Sequence, residues 1–269
     1  MKVLHITYDM RIGGTEMVIK NLIESNTDES IDIIKKYDKY ISYWISEDDR
    51  GQSNAINKGF KMATGDIFAY INSDDSYYPG TFNKVSKVIN STKNQLIYGN
   101  CRYYDQNSGQ ITNSDVISKF NSFRLPFDYN FIIQPSIFWT RKLWENTGEF
   151  NEDLNYGFDW EWIIRASENC EFVYQPDFLS MYRLHKKQKT YIGGEIRSNE
   201  IIDILLNNGY NNYGITLQKL LPYKDLINML VRCSSNYRTG IVIFKTLKIL
   251  FPSIFSCYST REVGEILNK

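Results

Sequence analysis

The apolar run Ile67 to Ile71 passes directly into Asn72-Ser73-Asp74-Asp75, and that junction restricts the fold more than any other feature of the chain. A strand that is apolar at every position is covered on both faces, as in a sheet packed between helices. In open sheets of that kind ligands gather at the carboxyl ends of strands, where this run places two carboxylates. Carboxylate oxygens suit a hard cation, which in turn neutralises phosphate charge. The same four residues also suit an Asx turn, so the segment alone leaves both readings open.

Elements alternate around the junction. Lys2 to Thr7 reads as a buried strand, followed by a turn at Gly13 and Gly14 and a helix carrying Met17, Val18, Leu22 and Ile23. Thr27 to Ser30 caps a second helix with Ile31, Ile33, Ile34 and Tyr37, and Tyr40 to Ile45 reads as a strand. Ile56, Phe60 and Ala63 predict an amphipathic helix over 53–63, closed near Gly65. Phe82, Val85 and Ile89 mark another helix, and Gln95 to Tyr98 another strand. This alternation predicts an α/β fold with a Rossmann-like mixed, mainly parallel sheet flanked by helices.

From Cys101 to Pro126 the pattern reads as a loop-rich excursion over a cleft. Helices are predicted from Arg141 to Asn146, stopped by Gly148, and from Trp160 to Ser167, with a strand from Glu171 to Gln175. Beyond Tyr191 the chain turns helical: Glu200 to Leu206, ended by Gly209, then Ile215 to Val231, interrupted by Pro222. The expected division is a body at 1–191, atypical over 1–26, and a helical extension at 192–269.

A chain of 269 residues with 42% hydrophobic and 23% charged side chains buries one sizeable core with room for an appended segment. Its 20 Tyr, 15 Phe and 5 Trp suit core packing as well as a groove that stacks rings. Zero formal net charge provides no global field for nucleic acid, which is excluded as a partner. Between Arg183 and Lys248, 11 basic against 4 acidic residues give 11 − 4 = +7. The apolar stretch Ile241 to Phe255, broken by Lys245, Lys248 and Pro252, suits peripheral contact with a membrane interface or packing on the body. Cys101, Cys170, Cys233 and Cys257 have neither zinc nor disulfide spacing, and neither a signal peptide nor a spanning run is read. The expected setting is cytoplasmic, with peripheral contact at the inner membrane face allowed.

The run D-R-G-Q-S-N-A-I-N-K-G-F from Asp49, then T-G-D-I, then I-N-S-D-D-S-Y-Y-P-G, resembles glycosyltransferase family 2 in the family's own order. The resemblance implies a GT-A fold and transfer of a sugar from a nucleoside diphosphate sugar to a glycan or lipid-linked acceptor, dependent on Mn2+ or Mg2+ and inverting. It places Asp74 and Asp75 on the metal, with Asp74 also facing the donor, and Asp49, Arg50 and Asn57 on the donor. A helix start behind Arg50 favours an anion. Asn57 also fits a solvated helix position. Downstream, Gln134-Pro135-Ser136 resembles the acceptor-side strand, with Gln134 and Trp160 expected at the acceptor. Gly148-Glu149-Phe150-Asn151-Glu152, leading to Asp159 and Glu161, resembles the family's G-x-F-D-E and acidic dyad. An inverting transfer needs one carboxylate to take the acceptor's proton, and Asp159 matches that base best. Residues two apart on a helix diverge by about 200°, so Asp159 and Glu161 share a site only if the helix begins between them. Both also suit the positive end of a helix. Tyr182-Arg183-Leu184-His185 with Lys189 resembles the family's R-x-H segment, which puts Arg183 and Lys189 on the diphosphate and His185 on the metal or phosphate.

The start departs from the family. Ile23 stands where the family's nucleobase-binding aspartate would be, and M-K-V-L-H-I-T-Y-D-M-R-I-G-G-T-E resembles the opening of GT-B, family 4 glycosyltransferases instead. A family 2 domain with a shortened or replaced first unit is expected, with Asp9 as a candidate substitute carboxylate. The alternative is a catalytically inactive remnant that binds a glycan or a partner protein.

Overall fold

The structure is a computed structural model that describes residues 2–7, 30–41, 43–114 and 132–223. The expected Gly13-Gly14 turn, the Met17–Ile23 helix, Asp9, the excursion beyond Ser114 and the stretch at 241–255 lie outside the described residues. Two compact units divide at His185 and Lys186.

The first unit is α/β. Its strands are β1 (Lys2–Thr7), β2 (Tyr43–Asp48), β3 (Ile67–Phe68), β4 (Ser76–Tyr77), β5 (Gln95–Asp105), β6 (Ile111–Asn113), β7 (Ile137–Thr140) and β8 (Glu171–Leu184). Its helices are α1 (Ser30–Tyr37), α2 (Gln52–Met62), α3 (Thr81–Ser86), α4 (Arg141–Thr147) and α5 (Phe158–Ala166). The main sheet has the order β3-β7-β5-β8-β4, with β6 hairpinned onto β5. The sheet is mixed as expected, but its parallel share is a correction. Among the described residues only β5 and β8 run parallel, while β1 and β2 form a separate antiparallel pair.

Several boundaries also moved. The strand expected at Tyr40–Ile45 spans Tyr43–Asp48, because a 3-10 turn occupies Asp38–Tyr40. β5 continues past Tyr98 into the region read as loop, turning back through an Asp105–Gln110 hairpin into β6. β8 likewise runs on to Leu184. Conversely, only the first two residues of the Ile67–Ile71 run pair in the sheet. The Tyr70 carbonyl accepts instead from Gln134 Nε2 at 2.8 Å and Tyr77 Oη at 3.3 Å, so side chains replace the ladder there.

Register shifts around Gly99 and Asn100 let Leu179 bulge against β5. A Cβ on Gly99 would lie 2.5 Å from Leu179 Cδ1, so only glycine permits that approach. Leu179 thereby joins Ile97, Phe138 and Val85 in the core under α3. Elsewhere the aromatic residues resolve as packing: Trp162 of α5 meets Trp139, Trp144 and Phe150 at centroid distances of 5.0, 5.6 and 5.7 Å.

Arg141 closes the end of α2. Its guanidinium donates to Ala63 O at 2.7 Å and Gly65 O at 2.6 and 2.9 Å while lying 4.7 Å from the Phe68 ring centroid. Arg141→Ala is expected to cost about 2 kcal/mol, since charged donors to those carbonyls are lost. Arg141→Lys should restore little, because an ammonium lacks the fork. A urea midpoint lowered at unchanged slope checks this.

The second unit carries α6 (Lys189–Ile192), α7 (Gly194–Asn207) and α8 (Asn211–Leu220). Ile201, Ile202, Ile204 and Leu205 of α7 are buried, and a 3-10 turn around Pro222 ends α8. Among the described residues no helix is long and apolar enough to cross a membrane.

Candidate active site

The acidic turn is held by carboxamides. Asp75 N donates to Asn72 O at 3.1 Å, closing the turn. Asn72 accepts from Gln52 Nε2 at 2.8 Å and donates to Gln134 Oε1 at 3.3 Å and Asp75 Oδ2 at 3.4 Å. Gln134, expected at the acceptor, here secures this turn.

The two carboxylates part company. Asp74 Oδ2 lies 2.9 Å from His185 Nε2, and both side chains keep a share of solvent, 32% and 22%. Asp75 points inward at 2% exposure and accepts from Arg183 N at 3.0 Å. Burial first, and then the Asp74 charge, push the Asp75 carboxyl up to about 8. Asp75, expected on the metal, is thus the more buried of the two carboxylates and bonds main chain, whereas Asp74 is the accessible one. Arg183 meets Asp75 through its main chain, two residues before His185. Among the described residues no three His, Cys, Asp or Glu gather as a metal site. A hard cation bound through one carboxylate plus substrate phosphates does not need three, and the accessible Asp74–His185 pair fits that donor set.

Beyond the turn, Glu152 organises the start of α2. Its Oε2 takes Arg50 Nη2 and Asn54 Nδ2, the latter at 3.0 Å, and its Oε1 takes Asn57 Nδ2 at 3.0 Å. Partial burial pushes its carboxyl up, but these amides together with Arg50 and Lys61 outweigh that and hold it below the usual range. Asn57, expected on the donor, is 1% exposed and also bonds Phe150 N and O at 3.1 and 2.9 Å, which clamps α2 to that loop. Asp49 accepts from Gly51 N at 2.8 Å, and Gly51 adopts φ 136, open to glycine. Arg50 remains largely exposed above Glu152.

On α5 the expected dyad separates. Asp159 is half-buried in the first turn, and its carboxylate accepts from Trp160 N at 2.8 Å. Glu161 is buried and forks onto Arg165 at 2.6 and 3.1 Å. Arg165 in turn donates to Thr147 O at 2.6 Å and Glu149 O at 2.8 Å. Glu161, expected with Asp159 as catalytic, here holds Arg165 and through it the Thr147–Glu152 loop. Trp160, at 4% exposure, offers no open ring to an acceptor. Lys189 begins α6 in the second unit. Glu161→Gln is expected to lower the thermal midpoint by several degrees, about 1–2 kcal/mol, while turnover by the folded protein falls less than tenfold. A general base would show the reverse, a fall of about 10²–10⁴ at unchanged stability.

Reasoning from sequence missed Gln52, Asn54 and Glu152. Asn54 and Asn57, three apart on α2, share a face with the approach to Arg50, and this spacing was available as a signal.

A mixed α/β sheet ending in an acidic turn that faces a histidine defines a GT-A-type architecture. The mannosyltransferase of Pyrobaculum calidifontis, solved in complex with GDP-Man and Mn2+, superposes with a TM-score of 0.50 at 13% identity, covering 91% of this chain and 75% of that one. Residues 24–145 match the family described as Glycosyl transferase family 2. An uncharacterized glycosyltransferase of Rickettsia conorii is 26% identical over 180 residues, 64% of this chain and 30% of that protein. A PGL/p-HBAD biosynthesis glycosyltransferase of Mycobacterium bovis is 28% identical over 166 residues, 60% of this chain and 61% of that protein. The chain thus spans under two thirds of either relative's length.

Proposed function

We propose that the chain transfers a sugar from a nucleoside diphosphate sugar to a glycan or lipid-linked acceptor, with inversion at the anomeric carbon. The accessible Asp74–His185 pair at the end of the acidic turn carries this reading. Asp74 and His185 would hold Mn2+ or Mg2+, which when bound supplies charge neutralisation for the departing diphosphate. Arg50 at the start of α2 offers its guanidinium to donor phosphate, and Glu152 holds it ready. The acceptor oxygen attacks the anomeric carbon, the bond from that carbon to the diphosphate oxygen breaks, and the acceptor proton passes to the Asp159 carboxylate. Carboxamides of Gln52, Asn72 and Gln134 keep the turn from yielding as charge develops.

Incubation with Mn2+ and a panel of nucleotide sugars, read by release of nucleoside diphosphate and by calorimetric binding, tests the proposal. Binding that needs the metal is expected for at least one donor, and absence of binding, hydrolysis and transfer with all of them would overturn it. A second reading, a binding protein without turnover, is favoured by Ile23 at the nucleobase position. Donor binding with no hydrolysis or transfer would select it.

A further inference from the structure

We infer that one face of the β5–β8 ribbon holds a second polar subsite, centred on Arg102 and Tyr78, that receives the oxyanion of a charged sugar unit in the acceptor. This rests on the glycosyltransfer reading above. Arg102 of β5 lies beside Met181 of β8, and Met181 lies beside Ser76 of β4. Lateral neighbours share a face, and the register shift at Asn100 brings Phe178 onto it as well. Cys101, Ser180 and Leu179 occupy the opposite, fully buried face.

On the Arg102 face the guanidinium stands 4.6 Å from the Phe178 ring centroid and 5.8 Å from that of Tyr78. Arg102 Nε and Tyr78 Oη are both sealed from solvent and have no hydrogen-bond partner among the described residues. A buried donor left without an acceptor costs about 1–3 kcal/mol, so an acceptor that reached these two groups would recover that cost. Arginine only donates, and a phenol donates readily, so the complementary group is an acceptor. The guanidinium charge makes an anionic acceptor the better fit, and its stacking on a ring presents a planar fork matched to carboxylate or phosphate.

The group bound there differs from the one at Asp74. Four residue steps lead from Met181 of β8 to His185 just past its end, about 13 Å at ~3.3 Å per residue. A donor diphosphate held at the Asp74–His185 end therefore leaves Arg102 to another charge. The remaining source is a carboxylate or phosphate on a sugar, carried by the acceptor or by the donor's own sugar, and the test separates these.

Saturation-transfer NMR on the full chain without divalent metal would compare glucose 6-phosphate and glucuronate with glucose. The charged sugars are expected to bind at least tenfold more tightly than glucose. Arg102→Met, which keeps the stem packed on Phe178, should remove that preference. Tyr78→Phe, which keeps the ring, should weaken it a few-fold. Equal binding of glucose and glucose 6-phosphate by the wild type, or a preference that persists in a folded Arg102→Met protein, would overturn the subsite. A preference for UDP-glucuronate over UDP-glucose that vanishes in Arg102→Met would assign the subsite to the donor and overturn the acceptor assignment. Mn2+-dependent nucleotide binding is measured in parallel. Its absence from the wild type, with charged-sugar binding intact, would overturn the glycosyltransfer reading and leave the anion subsite standing.

Discussion

Asp74→Ala is expected to lower donor turnover by about a thousandfold, roughly 4 kcal/mol of transition-state stabilisation, and to abolish the response to Mn2+ and to chelator. The side chain is 32% exposed, so its loss opens no cavity and the thermal midpoint should stay within about a degree. His185→Ala should reduce turnover less, because the histidine supports Asp74 across 2.9 Å and a carboxylate is the stronger partner for a hard cation. Once Asp74 is gone, removing His185 should add little, the mark of groups that act as a unit. Asp75→Asn provides the contrast. An amide oxygen can still accept from Arg183 N, which the carboxyl now does at 3.0 Å, so turnover should hold within about tenfold. Full Mn2+-dependent turnover in Asp74→Ala, or a larger loss from Asp75→Asn, would remove Asp74 from the centre of the site. Nucleoside diphosphate release at varied Mn2+ measures both.

The difference between those two carboxylates was not legible in the sequence. Their adjacency to an apolar run points to a strand end, where an α/β sheet gathers ligands. Which one faces outward depends on the path after Phe68, where Gln134 and Tyr77 take the Tyr70 carbonyl out of the ladder. Such side-chain capture has no periodic signature. Helix existence was legible wherever apolar spacing was clear, as in α2, α4 and α5. Strand pairing was not, since a run such as Gln95–Tyr98 fixes neither its neighbour nor its direction. The excursion read after Cys101 failed for the same reason: Arg102, Tyr103 and Tyr104 look loop-like in composition, yet they pair with β6 and β8 at once. Asp159 and Glu161 illustrate the useful limit of geometry from sequence. Helical divergence predicted that the two carboxylates part unless the helix begins between them, and the Arg165 fork shows which way Glu161 turns.

That fork belongs to a larger assembly whose removal should have the greatest effect on stability. Trp162→Ala is expected to cost about 3–5 kcal/mol, because a fully buried ring packed against Trp139, Trp144 and Phe150 leaves a cavity that rigid neighbouring rings cannot close. At roughly 2–4 °C per kcal/mol for a unit of this size, the melting midpoint falls by about 10 °C or more. Trp162→Phe separates packing from hydrogen bonding. It keeps most of the apolar volume but loses the indole donor to Gly148 O at 2.8 Å, for about 1–2 kcal/mol. Gly148 opens the loop that Arg165 holds at Glu149 and Asn57 holds at Phe150, and that ends at Glu152 beneath Arg50. The milder variant should therefore weaken donor binding several-fold although Trp162 touches no ligand, whereas Arg141→Ala, which secures the far end of α2, should leave that binding intact. Calorimetry of donor binding beside differential scanning of the two variants decides the point, and equal donor affinity in Trp162→Phe and wild type would break the proposed link from the aromatic core through the loop to Arg50.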